Sequence, residues 1–101
     1  MSEYENTQVR PDARLIILKA LAKQIDERLH SGMIAAELSE LGIDRPREWI
    51  HDELAWLDQM GAVTVKKFDS VYVATLTEKG HRHLRRAIEI EGIKRPSRPG
   101  E

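Results

Sequence analysis

The chain has 101 residues, 41% of them hydrophobic, and a formal net charge of −1, enough for one compact domain near the small end of what a single core supports. It has no cysteine, which excludes a disulfide scaffold and a thiolate metal site. No apolar run approaches the ~20 residues that span a bilayer and no hydrophobic signal segment follows Met1, so the expectation is a cytoplasmic protein that does not enter a membrane.

The near-zero total hides an asymmetry. From Met1 to Met60 seven Lys and Arg stand against twelve Asp and Glu, whereas from Lys79 to Glu101 seven stand against three. Acidic helices followed by a basic C-terminal stretch fit either ordinary solvated surface or a charged interaction face.

Residues 1–9 (MSEYENTQV) are polar and aperiodic and read as a flexible N-terminus. Pro11 and Asp12 suit a first helical turn. Leu15, Leu18, Ala22, Ile25 and Leu29 then recur at three- and four-residue intervals, predicting a first helix from about Pro11 to Leu29. Ile16, Ile17 and Leu21 widen its apolar face, which fits burial on two sides or contact with a partner subunit. Ser31 is placed to cap a short second helix with Ile34, Leu38 and Leu41 inward and Gly42 at its end. Asp44 can cap a third helix over about 45–60, with Pro46 in its first turn. Two short helices joined this way form a helix-turn-helix unit.

The stretch Asp52–Thr77 organises the rest. Ile50, Leu54 and Leu57 form one stripe of the third helix, and Gly61 falls where a helix ends in the left-handed conformation. The period then changes to two, with Val63 and Val65 on one arm and Val71 and Val73 on the return, joined through Lys66–Ser70. Thr77 can cap a fourth helix, with Glu78 at its positive end. Gly80 costs that helix about 1 kcal/mol relative to alanine, which a close approach to the third helix or the ribbon would explain. Leu84, Ala87 and Ile88 continue an inward face to about Glu91. Residues 92–101 hold two prolines and two glycines and form a basic, non-helical tail. The expected fold is therefore α+β, a winged helix-turn-helix in the order α1-α2-α3-β-β-α4, with the domain over residues 10–91.

Leu54, Leu57, Gly61 and Val63, the ribbon, and Leu76-Thr77-Glu78-Lys79-Gly80 resemble winged-helix regulators of the MarR, PadR and ArsR kind. A closer resemblance covers most of the chain. Leu54-Ala55-Trp56-Leu57, Gly61-Ala62-Val63-Thr64-Val65, Val73-Ala74-Thr75-Leu76-Thr77-Glu78-Lys79-Gly80 and Gly92-Ile93-Lys94-Arg95-Pro96 are similar to a family of small winged-helix proteins of Mu-like phages and prophages. The winged-helix regulators named above imply a DNA-binding or transcription-regulatory protein; the closer resemblance implies the winged-helix fold and a phage or prophage protein in the cytoplasm of a bacterial host cell, in a family whose role is unassigned. By analogy with winged-helix dimers, it also implies a homodimer formed through the first or the fourth helix.

In a DNA-binding reading the third helix presents Arg45, Arg47, Glu48, His51, Asp52 and Ala55 to the major groove, with Arg45 and Arg47 reaching phosphate or guanine edges and His51 a base. Lys66 and Lys67 sit at the ribbon turn, where they serve either as wing contacts to double-stranded DNA or as edge-protecting lysines of a solvated hairpin. Arg82, Arg85 and Arg86, with Lys94, Arg95 and Arg98, form the densest basic cluster, able to meet phosphate or the acidic helices of a second copy. Against this stands charge. Asp44, Glu48, Asp52, Glu53 and Asp58 oppose two arginines between Asp44 and Met60, whereas counterion release requires cations. The rival expectation is a non-catalytic adaptor or phage assembly factor that binds a phage or host protein without touching DNA. Trp49 and Trp56, seven apart, fit core packing or a partner-facing patch. His81 and His83 are two apart, unlike the i, i+4 pair of a helical metal site, so no metal or cofactor is expected. No nucleophile motif or phosphate-cradling loop is present, and an enzyme is not expected.

Overall fold

A computed structural model describes residues 3–98. In chain order the elements are α1 (Glu3–Ala22), β1 (Arg28–His30), α2 (Ser31–Glu40), α3 (Arg47–Gln59), β2 (Val63–Phe68), β3 (Val71–Leu76) and α4 (Glu78–Leu84). Among the described residues four helices pack on one antiparallel sheet of order β1-β3-β2. This is a small α+β fold, with a strand between the first two helices that the sequence reading lacks.

The first helix differs at both ends from the expected 11–29. It begins at Glu3, so most of the expected flexible stretch 1–9 is helical and Pro11 lies inside the helix. Met1, Ser2 and residues 99–101 lie outside the described residues. Ala22 ends α1, and Glu27, at φ +59, redirects the chain. Ile25, expected on the buried stripe, is fully exposed. Leu29, the last member of that stripe, belongs to β1 and pairs with Ala74. A three-residue strand is too short to show a period of its own, so its leucine extends the apparent helical repeat.

The N-cap of α2 is His30, not Ser31: its Nδ1 accepts the Met33 N–H at 3.2 Å. Ser31 is buried, and its Oγ accepts the Tyr72 N–H at 3.2 Å, fastening α2 to β3. Gly42, at φ +86, ends the helix as expected, although Leu41 points outward. Pro46 precedes α3 with no side-chain cap, because Asp44 instead accepts the Ser39 hydroxyl at 2.6 Å.

The core forms where the spacing placed it. Ile50, Leu54 and Leu57 of α3 meet Ile17, Leu18 and Leu21 of α1, Ile34 and Leu38 of α2, and Val63, Ala74 and Leu76 of the sheet. Each such aliphatic side chain contributes about 1.5–3 kcal/mol on burial. Strand β2 runs through Phe68, which pairs with Val71, so the hairpin turns on Asp69 and Ser70 alone. This register puts Tyr72, Ala74 and Leu76 on the face of Val63 and Val65, and turns Val71 and Val73 to the other. The open edge of β2 is covered at one point: the Val65 N–H donates to Asp58 Oδ2 at 3.1 Å.

Thr77 caps α4 as its position predicts. Its Oγ1 accepts the Gly80 N–H at 3.1 Å and its hydroxyl donates to Gly61 O at 2.6 Å. A Cβ at position 80 would meet the Ala62 carbonyl oxygen and lie 2.6 Å from Leu76 Cδ1, which accounts for the glycine in a first turn.

Beyond α4 the expected boundary at residue 91 does not hold. The helix ends at Leu84 and Arg86, at φ +63, reverses the chain, so Ala87 is exposed while Ile90 and Ile93 enter the core. His83 is 0% exposed. Its Nδ1 accepts the Ile90 N–H at 3.1 Å and its Nε2 donates to Lys94 O at 3.0 Å. The Lys94 N–H reaches Pro11 O at 3.1 Å, and Gly92, at φ +97, lies so close to Trp56 that a Cβ there would sit 2.7 Å from the indole. The C-terminal segment through Pro96 is thus part of the domain. Its glycine and proline forbid a helix but not a packed loop.

Candidate nucleic-acid interface

The face to be tested is the outward side of α3 together with the β2–β3 hairpin. Its electrostatics depend on which charges are available. Glu53, one of the five acids set against the two arginines of this stretch, is 1% exposed. Its Oε1 accepts Arg14 Nε at 2.6 Å and its Oε2 pairs with Arg10. Arg14 also donates to Gly92 O at 2.9 Å and lies 3.7 Å from the Trp56 ring centroid. Glu53 is therefore a neutralised joint between α1, α3 and the C-terminal segment, not a charge that would repel phosphate. Asp44 and Asp58 accept hydrogen bonds from a hydroxyl and a backbone N–H, which leaves their charge in place, and both are exposed, as are Glu48 and Asp52, so four of the five carboxylates, not all five, oppose an anion.

The candidate cations fall into two groups. Arg47, Lys66 and Lys67 are exposed and make no ion pair among the described residues. Arg45 is half-buried, donates to Asp44 O at 3.1 Å and lies 5.6 Å from the Trp49 ring, which Arg10 also approaches at 5.0 Å. Both tryptophans are half-buried against the core. In the C-terminal cluster, by contrast, Arg85 donates to Glu78 at 2.9 Å and holds that carboxyl below its usual range. Arg86 bonds the Pro96 carbonyl, and Lys94 lies 3.7 Å from Asp12. Arg82 and Arg95 are exposed.

His51 links α3 to the hairpin. Its ring stacks on Tyr72 with centroids 3.8 Å apart and planes 3° from parallel, and its Nε2 lies 3.4 Å from Ser31 Oγ. Burial, with Arg47 beside it, pushes the imidazole pKa below its ordinary value, so at neutral pH His51 offers hydrogen bonds and not charge. Lys67 is paired with Tyr72 across the hairpin, its Nζ 5.1 Å from the ring centroid. Arg47 lines a cleft of about 250 Å³ between α2 and α3 with Ser31, Gly32, Ala35 and Ile50. The structure thus joins Arg47, His51 and Lys67 in one surface through Tyr72, a residue the sequence reading used only for strand parity. Arg82, Arg85 and Arg86 belong to the C-terminal region.

Among the described residues no helix is long and apolar enough to cross a membrane. The chain matches no family model, and no solved structure matches it. It is similar to the protein printed as "Uncharacterized protein gp26" of Escherichia phage Mu, 28% identical over 91 residues that cover 90% of this chain and 94% of the Mu protein.

Proposed function

We propose that this is a phage or prophage winged-helix protein that binds double-stranded DNA in a regulatory role, with α3 in the major groove and the β2–β3 hairpin as its wing. The placement of β1 between α1 and α2, completing a three-stranded sheet, supports the winged-helix reading, and the likeness to a phage Mu protein supports the phage context. The observation that carries the DNA reading is the set of exposed cations Arg47, Lys66 and Lys67, without ion pairs among the described residues, of which Arg47 and Lys67 lie beside the His51–Tyr72 stack. Arg47 and the two lysines would meet phosphate, and His51 would meet a base edge as a neutral hydrogen-bonding group. Arg45 and Arg82 are supplementary; Arg85 and Arg86 already serve the fold.

Glu48 and Asp52, both exposed on α3, favour the second reading, a non-catalytic adaptor or assembly factor that offers this helix to a basic protein. Titration of labelled duplex DNA at two salt concentrations separates the two. The DNA reading expects binding at low salt that weakens steeply as salt rises. Absence of binding at low salt overturns it and leaves the adaptor.

A further inference from the structure

Phe68, the chain's one phenylalanine, is 58% exposed at the end of β2, and Val71 directly across the turn is 41% exposed. Neither joins the core nor packs against it. An exposed apolar pair at a strand end has an ordinary alternative, burial beneath a neighbouring loop, but the two-residue turn Asp69–Ser70 leaves nothing beyond the tip to cover it. The residues before Phe68 are Lys66 and Lys67, exposed and without ion pairs among the described residues, against the single acid of the tip, Asp69. An apolar wedge flanked by cations is the chemistry with which architectural proteins enter a minor groove: the cations hold the backbone while the wedge unstacks a base step and bends the duplex.

Resting on the DNA-binding reading above, we infer that Phe68 is a minor-groove wedge, entering between base pairs at the wing tip and bending the duplex that α3 holds. The tip adjoins the α3 face through Lys67, which pairs across the hairpin with Tyr72, the residue stacked on His51, while Phe68 and Val71 project from the opposite face of the same hairpin end. The lysines give the tip its affinity for phosphate; Phe68 adds deformation, favoured at flexible pyrimidine–purine steps such as TA.

The test is ligase-catalysed ring closure of a DNA fragment of about 150 base pairs, close to the persistence length and therefore sensitive to added bends. The full-length protein is compared with its Phe68→Ala and Phe68→Leu variants at saturating concentration. The wild type is expected to raise the ring-closure rate several-fold. Phe68→Ala, with unchanged melting temperature and affinity within about threefold, loses the enhancement; Phe68→Leu, still an apolar wedge, retains part of it. Binding without enhancement by the wild type, or enhancement unchanged in Phe68→Ala, overturns the wedge and leaves the DNA-binding reading standing. No DNA binding at all removes both. Phe68-dependent binding to vesicles of anionic phospholipid, with DNA binding and bending indifferent to residue 68, overturns the wedge in favour of a membrane contact.

Discussion

The α3–hairpin face and the C-terminal region both carry cations, yet they use them differently. The C-terminal region is the more basic in sequence, but Arg85 is tied to Glu78, Arg86 to the Pro96 carbonyl and Lys94 to Asp12, leaving Arg82 and Arg95 exposed there. The α3–hairpin face has fewer cations in a more acidic stretch, yet Arg47, Lys66 and Lys67 are unpaired among the described residues, and Glu53 has been withdrawn into the interior. Charge density along a chain therefore does not measure the charge a surface offers. What counts is which groups the fold has already satisfied, since an ion pair or a carbonyl contact must be broken before the same cation can meet phosphate.

The largest expected effect breaks the joint that lets α3 bury a carboxylate. Glu53→Ala leaves Arg14, which is 12% exposed, without its anion, and should cost about 3–5 kcal/mol, read as a large fall in melting temperature. A loss below about 1 kcal/mol, the range of surface ion pairs, would return Glu53 to the exposed face.

A smaller effect is expected at the C-terminal region. His83→Ala deprives the Ile90 N–H and the Lys94 carbonyl of their buried partner, at about 2–3 kcal/mol. Trp56 fluorescence should shift as Gly92 lifts from the indole. Unchanged fluorescence and stability would mean that the segment after α4 is an appendage after all, and its arginines available.

The smallest effect is pH-dependent. The pKa of His51 is lowered in the folded state by burial and by Arg47, so the unfolded chain takes up this proton first. Stability should be full above the unfolded value of about 6.5 and should decline as pH falls below it. His51→Gln should remove that part of the acid-side slope in melting curves taken between neutral and mildly acidic pH. An NMR titration placing His51 at or above its ordinary pKa would contradict the packing of the imidazole on Tyr72.

Much of the fold follows from spacing. Ile50, Leu54 and Leu57 had to share a helical face, Thr77 had to cap α4, and Gly80 had to mark a close approach; the structure bears out all three. Glu53 was legible too, since Ile50, Glu53, Leu54 and Leu57 follow the i, i+3, i+4, i+7 pattern. Its charge argued for the surface, and the compensating arginines lay some forty residues away. Strand β1 was hidden because three residues carry no period and its register is set by β3. The role of His83 was hidden because its partners are backbone groups of a loop, and a backbone group has no letter in the sequence. The His51–Tyr72 stack depends on the packing of α3 against the hairpin, which no local pattern specifies.

The central claim, that duplex DNA is met by the cations of the α3–hairpin face, is tested most directly by the salt dependence of duplex DNA binding for the wild type, for Lys66→Glu/Lys67→Glu, and for Arg85→Glu. All three proteins should melt within about 0.5–1 kcal/mol of each other, since the substituted groups are surface-exposed. The double lysine variant should bind at least about tenfold more weakly at low salt, its slope of log affinity against log salt reduced by roughly two, one per lost phosphate contact. Arg85→Glu should leave affinity and slope near those of the wild type. A slope that is unchanged by the lysine substitutions and reduced by Arg85→Glu would contradict the account and move the interface to the C-terminal region.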